Sequence, residues 1–325
     1  MKNLLLGLST LFALNIMPSA QAQMDYQNFQ KVSSFSELQY PFAMKEQALS
    51  GNVRIAYADE GKGSTTLLFV HGLGSYAPAW KKQVEALSNT YRCIAVDLPG
   101  YGKSSKYAHP ESMTFFADKL AELADSLGLD EVVMVGHSMG GQISMVTALR
   151  HPDLVQKLVL VAPAGIETFT EGEKEWFRRA ITPKGVLLTP LQAIETNLAT
   201  NFYHMPDEAW FMVRDRYAMT GAGDEFHWYC NAITRSVQGM VNEPVYRDLP
   251  SIKQPTLVVM GASDRLIPNR YLNGGSPRSI AEEAAQLIPD ARALVIKKAG
   301  HFVMFEQAEK VNEEIRTFLG GGMAN

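Results

Sequence analysis

The chain is poor in cysteine, in clustered positive charge, in metal-ligand spacing and in phosphate-binding glycine patterns, and each shortage removes a class of function. Cys93 and Cys230 are the only two cysteines in 325 residues, so no disulfide framework holds the fold. Cys93 lies in an apolar run, Arg92 to Val96, and Cys230 in an aromatic helix-like segment. Both are expected as buried free thiols, since a bridge would need Cα atoms within about 7 Å. Lysine and arginine number 30 against 34 acidic residues, a net charge of −4, and they form no cluster; a nucleic-acid surface is not expected. None of the seven histidines belongs to H-E-x-x-H or a comparable pair, so no metal is expected. Gly72 and Gly74 complete neither G-x-G-x-x-G nor a Walker pattern, so no nucleotide cofactor is expected.

What is present is globular: 46% hydrophobic and 20% charged residues, without repeats or low-complexity segments. The length suits one large α/β domain with an insertion, or two domains. The first residues read as a secretory leader rather than as fold. Lys2 precedes an apolar run from Leu4 to Met17, Pro18 breaks it, and Ala20-Gln21-Ala22 offers a small-residue cleavage site. The run is short for a membrane span, which takes about 20 apolar residues. The expectation is a chain exported to a periplasm or beyond the cell after cleavage near Ala22, with no stable membrane anchor.

Strand and helix signals then alternate. Gly51 to Asp59 reads as a strand. Thr66 to Val70 is a continuous apolar run, as buried parallel strands are. Ala79 to Leu87 is helical, Arg92 to Val96 a strand, and Phe116, Leu120, Leu123 and Leu127 mark a helix that Gly128 stops. Val132 to Val135 and Leu158 to Val161 are further strands. This order predicts an α/β fold, a mostly parallel sheet with helices on both faces. Residues 166–250 lose the strand rhythm; Glu171 to Ile181, Leu191 to Asn201, Asp207 to Met219 and Phe226 to Met240 read as helices of a cap inserted in the sheet. Thr256 to Met260 and Ala293 to Ile296 resume strands, Ser279 to Leu287 and Gln307 to Leu319 helices. The expected organisation is a leader at 1–22, a core at 23–165 and 251–320, a helical cap at 166–250 and a tail at 321–325.

Between the Val132 strand and the helix after it sits Gly136-His137-Ser138-Met139-Gly140, which fits G-x-S-x-G. The pattern demands a tight strand-to-helix turn that lifts the serine hydroxyl clear of the sheet. Flanking glycines let strand and helix pass closely, and the helix N-terminus offers free N–H groups to a developing anion. A serine hydroxyl needs a base, and the base needs a group that fixes its tautomer. Asp264 and His301 each follow a short apolar strand and complete the order Ser, Asp, His expected for such an elbow. The oxyanion donors are expected to be the backbone N–H groups of Met139 and Leu73, with Gly74 the alternative to Leu73.

With these stretches in view, the sequence resembles the α/β-hydrolase fold superfamily, in the capped group of esterases, lipases, C–C bond hydrolases and haloperoxidase-like enzymes. The matching motifs are His71-Gly72-Leu73-Gly74, the Asp97 to Ser104 loop, the elbow, Gly261 to Pro268 and Gly300-His301, in the family's order over about residues 50 to 320. The resemblance implies Ser138 as nucleophile, His301 as general base and Asp264 as its orienter, with Asp97 the rival acid in a structural loop. His71 is expected to brace the oxyanion loop and His137 to pack; His109 and His151 are expected at the surface, and His204 and His227 either there or in the pocket. Trp176, Phe202, Trp210 and Trp228 are the expected pocket residues among the cap's large side chains. The implied activity is hydrolysis of a small to medium apolar ester through an acyl-enzyme, with C–C bond hydrolysis or perhydrolysis on the same triad, or a slow ligand-binding module, as alternatives. The oligomeric state is open.

Overall fold

Eight strands form one sheet: β1 (Met44–Ala48), β2 (Arg54–Glu60), β3 (Thr66–Val70), β4 (Arg92–Val96), β5 (Val132–His137), β6 (Val155–Val161), β7 (Thr256–Gly261) and β8 (Ala291–Ile296). They appear in a computed structural model that describes residues 29–320. The expected leader and tail lie outside the described residues. The spatial order is β1-β2-β4-β3-β5-β6-β7-β8. β1 and β2 run antiparallel, and β4 to β8 with β3 are parallel. Strands β3, β5 and β7 are buried along their whole length, which is why they read as unbroken apolar runs.

The parallel strands are linked by α1 (Lys81–Leu87), α2 (Met113–Ser126) and α3 (Met139–Arg150), and later by α9 (Pro277–Leu287). α10 (Val303–Glu306) and α11 (Ala308–Leu319) follow β8. α2 packs on α3, and α1 packs on α11. From β3 the chain first moves outward to β4, then crosses back to β5 and on to β8. Neighbours β3 and β5 therefore mark the point where strand order reverses, the place where such sheets open a crevice.

No strand interrupts the stretch between β6 and β7. It holds α4 (Glu171–Ala180), α5 (Pro183–Leu187), α6 (Leu191–Ala199), α7 (Trp210–Met219) and α8 (Gly223–Asn242), a helical insertion at the carboxyl edge of the sheet. α8 rests on the core at close range. A Cβ on Gly100 would come within 2.6 Å of Ala232 Cβ, and the hydroxyl of Tyr101 donates to Ser236 Oγ at 2.8 Å.

Three features differ from the sequence reading. β1 was not expected: its residues, Met-Lys-Glu-Gln-Ala, are mostly exposed, and a solvated edge strand carries no apolar alternation. The expected Gly51 to Asp59 strand begins only at Arg54, because Gly51 and Asn52 take φ of 68° and 64° and form the turn of the β1–β2 hairpin. α5 was not among the expected cap helices: Pro183 opens it, a position that suits proline, and Gly185 donates its N–H to the Thr182 side chain at the helix start.

One buried charge marks the α8–core contact. Glu111 is 1% exposed and lies 3.5 Å from Arg235 of α8, too far for a good hydrogen bond. Burial pushes its carboxyl from 4.5 up to about 7, against the lowering pull of Arg235. The folded group thus holds its proton where the unfolded one has lost it, and its ionisation weighs against folding from about pH 4.5 upward, fully above about pH 7. Glu111→Gln is expected to raise stability at pH 8 by about 3 kcal/mol, a gain that vanishes as pH falls toward 4.5; denaturant titrations across that range measure it. In thermal melts, Gly140→Ala should lower stability by about 3 kcal/mol through overpacking, since its Cβ would lie 2.1 Å from the Val70 carbonyl oxygen. Gly172→Ala, in α4 with open space around it, should raise stability by up to about 1 kcal/mol.

Candidate active site

Ser138 sits between β5 and α3 with φ 54° and ψ −118°, a conformation L-residues resist. The packing around it leaves no relaxed alternative. A Cβ on Gly136 would meet the Gly140 carbonyl oxygen at 2.3 Å, and one on Gly140 would meet Val70 O at 2.1 Å. The Ser138 carbonyl accepts from Gly141, Gln142 and Ala164, so the turn is tied to its helix and to the end of β6. Register places Gly136 beside Val70 of β3 and His137 beside Val161 of β6. The ends of these strands therefore open on one crevice.

The structure brings Asp264 and His301 together. His301 Nδ1 lies 2.8 Å from Asp264 Oδ2, with side-chain exposures of 4% and 0%. The other oxygen, Oδ1, accepts from the N–H groups of Leu266 and Ile267 at 2.8 and 3.1 Å. Both carboxylate oxygens are thus engaged, and the histidine ring is fixed with Nε2 as its remaining nitrogen. Asp97, the rival, is fully used elsewhere: it accepts from Ala77 N–H, Lys103 N–H and the Tyr40 hydroxyl. Ser138 and His301 line one cavity of about 280 Å³. Among the described residues no hydrogen bond joins their side chains, and such contacts commonly tighten only with substrate bound.

His137 and His71 hold backbone rather than face the cavity as free bases. His137 Nε2 lies 3.0 Å from the His301 carbonyl oxygen. Burial holds its pKa well below the usual histidine value, with His301 adding to the effect, so the neutral ring donates there. His71 Nε2 accepts from Leu98 N–H at 3.0 Å and Nδ1 donates to Gly72 O at 2.8 Å, joining the β3 and β4 loops; burial lowers its pKa as well. The loop after β3 carries Leu73 into the cavity wall, and Tyr229 of α8 donates to Gly74 O at 2.9 Å. Among the described residues, the backbone N–H groups of Met139 and Leu73 have no hydrogen-bond partner.

Sequence reasoning missed two supports. Glu306 of α10 accepts from Gly300 N–H at 2.6 Å and from the N–H groups of Tyr203 and His204, clamping the His301 loop to the insertion. The other is Tyr229 of α8, through its bond to Gly74 O. Gly74, Tyr203 and His204 are distant in the chain from the residues that hold them, and the six-residue spacing of Gly300 and Glu306 forms no recognisable motif.

The four expected pocket aromatics do not line the cavity. Trp176 and Trp228 are 45% and 37% exposed, Trp210 is half-buried, and Phe202 stacks on Phe302 at 5.1 Å. The walls are instead Phe169, Phe177, Ile181, Val237, Met240, Val241, Leu266, Ile267 and Phe302, with Glu167 and Asn269 among them. A helix turns about 100° per residue, so Trp176 and its neighbour Phe177 face differently. His109 is buried at 5% exposure, stacked on Phe115, not at the surface; His151 is half-buried against Asp118. His204 and His227 are exposed. Cys93 and Cys230 are buried free thiols, which burial pushes up to about 12 and about 11.

Gly72 separates the two halves of the site, since a Cβ there would lie 2.9 Å from His137 Nδ1 and 3.0 Å from Ser138 Cβ. Gly72→Ala is expected to displace the Leu73 loop and lower hydrolytic kcat/KM about 100-fold with the circular dichroism spectrum kept.

The comparisons with known proteins bear on the family and the fold. The alpha/beta hydrolase fold family matches residues 65–308. The chain is 31% identical over 271 residues to a dihydrolipoyllysine-residue acetyltransferase component of the acetoin cleaving system of Pseudomonas putida, an alignment covering 80% of this chain and 64% of that one; it spans less than two thirds of that relative. It is 29% identical to an (E)-2-((N-methylformamido)methylene)succinate hydrolase of Acinetobacter baylyi, covering 85% and 97%. Among solved structures, a probable hydrolytic enzyme of Pseudomonas aeruginosa superposes with TM-score 0.77 at 26% identity, over 89% of this chain and 98% of that one. A thermophilic esterase from Thermogutta terrifontis gives 0.69 at 26%, over 86% and 98%. The chain belongs to the alpha/beta hydrolase fold family.

Proposed function

We propose that the protein is a serine hydrolase of small to medium apolar carboxylic esters. One observation carries the reading: a strained, elbow-borne Ser138 shares an apolar-walled cavity with a His301 whose other nitrogen is fixed by a dry Asp264. Ser138 Oγ attacks the ester carbonyl while His301 Nε2 takes its proton. The oxyanion is held by the unpartnered N–H groups of Met139 and Leu73. His301 then protonates the departing alkoxide, and the acyl-enzyme is cleaved by a water that His301 deprotonates. Asp264 keeps the Nδ1 proton in place and stabilises the imidazolium.

The walls disfavour an anionic substrate. A succinate, as in the Acinetobacter relative's name, carries carboxylates, and among the described residues lining this cavity there is no lysine or arginine to receive one. The volume of about 280 Å³ equals that of roughly nine waters, which suits a short acyl chain. Export of the enzyme rests on the leader pattern of residues 1–22 alone.

Nitrophenyl esters of graded acyl length provide the test. The wild-type chain should hydrolyse short and medium acyl esters, and Ser138→Ala should lose about 10⁴-fold or more in kcat. Turnover unchanged in Ser138→Ala, or none of any ester by the wild type, would overturn the assignment.

A further inference from the structure

Glu167 is the only carboxylate among the described residues that line the cavity. It follows β6 and is half-buried. Both of its hydrogen bonds fall on one oxygen: Oε1 accepts from Asn269 N–H at 2.7 Å and from Asn273 Nδ2 at 2.8 Å. These tie it to the loop that follows Asp264. Among the described residues Oε2 has no hydrogen-bond partner, and no lysine or arginine pairs with the group. Burial raises its pKa first, the Asp264 carboxylate adds to the rise, and the Asn269 and Asn273 bonds oppose it. A strut between two loops needs one acceptor, which a glutamine would also supply. The second oxygen is an accessible acceptor on a residue of the cavity wall, open to a donor from a ligand that replaces water there.

We propose that Glu167 Oε2 is a specificity-determining contact that receives a hydrogen-bond donor, a hydroxyl or a protonated amine, on the part of the substrate away from the scissile carbonyl, and that it turns away esters bearing a carboxylate there. The proposal rests on the ester reading above for its substrate class. It places the one carboxylate among the described lining residues in a wall whose other polar side chains are uncharged Ser75, Gln142, Asn201 and Asn269 beyond the serine and histidines. The like charge of a substrate carboxylate would meet Glu167 with no cation in the wall to offset it.

The test uses nitrophenyl esters matched in chain length whose acyl chains end in methyl, hydroxyl, ammonium or carboxylate, at several lengths, with the wild type and Glu167→Gln. Glutamine keeps an oxygen for Asn269 and Asn273, so the loop stays tied. The wild type should favour the hydroxyl and ammonium esters over the methyl ester and discriminate against the carboxylate ester. In Glu167→Gln the ammonium ester should lose, and the carboxylate ester gain, about tenfold in kcat/KM, with the methyl ester within about twofold. A loss confined to the ammonium ester identifies a cationic donor, and a loss shared by the hydroxyl ester a neutral one; either supports the contact. An unchanged ranking, or equal losses on all four esters, overturns it. Calorimetric binding of the same series to Ser138→Ala, with and without Glu167→Gln, reads the preference without turnover. If the wild type hydrolyses no ester, the ester reading falls, and the affinity ranking still decides the role of Glu167.

Discussion

The site depends on one close crossing, that of β5 into α3 beneath the end of β3. Gly140 lies so near Val70 that no side chain fits, and Gly136 lies equally near Gly140. The chain can make this crossing only if the residue between takes a left-handed conformation, and Ser138 takes it. Strain of this kind costs on the order of 1–3 kcal/mol and persists only where the surroundings impose it. Here they do: three N–H groups hold the Ser138 carbonyl, and buried strands flank it on both sides. The strain places the hydroxyl above the sheet, and the same turn directs the first N–H of α3 toward the space an oxyanion would fill.

The remaining groups are positioned by contacts that pass between elements far apart in sequence. His301 is held through its ring by Asp264, and through its backbone by His137 and the Glu306 clamp on Gly300. His137 is a neighbour of Ser138, so the elbow and His301 share a structural partner. The loop after β3 is braced by His71 at Gly72 and by Tyr229 at Gly74. Most of these donors and acceptors are dry, and low polarity around them strengthens each bond and raises the penalty for losing one. Preorganisation is built into packed elements, and the helical insertion takes part in it through α8.

How much of this was legible in the sequence follows from burial. The parallel strands read clearly because both faces are covered and every residue can be apolar, as in Thr66 to Val70. β1 was invisible because its pairing is made by backbone and by charged side chains such as Lys45, which meets Asp59; the Gly51-Asn52 pair was its one signal, a hairpin turn. The elbow was legible because steric demand leaves glycines at fixed spacing. Asp264 and His301 were legible because each follows a strand end in the order the sheet requires. The pocket was not. Trp176 and Phe177 look alike in composition, and only the helix rotation and the path of the chain decide which lines the cavity. Glu167 carried no motif, since its partners Asn269 and Asn273 belong to a loop whose position is set by β7.

That division reflects a difference in physical origin. The frame that carries Ser138 is fixed by sterics within the sheet, where an added methyl group meets backbone at about 2 Å, so few sequences satisfy it. The cavity is fixed by side chains from α4, α8 and the loops after β6, β7 and β8, which pack on one another with more freedom. A hydrophobic wall discriminates weakly, by about 1–3 kcal/mol per methylene, whereas a polar group that must be matched discriminates strongly. In a wall such as this one, specificity concentrates at the few polar atoms, and apolar residues set mainly the size of what enters. Relatives with the same frame can therefore act on substrates of different charge by exchanging one or two wall residues, without altering the strain, the register or the buried hydrogen bonds that place Ser138 and His301.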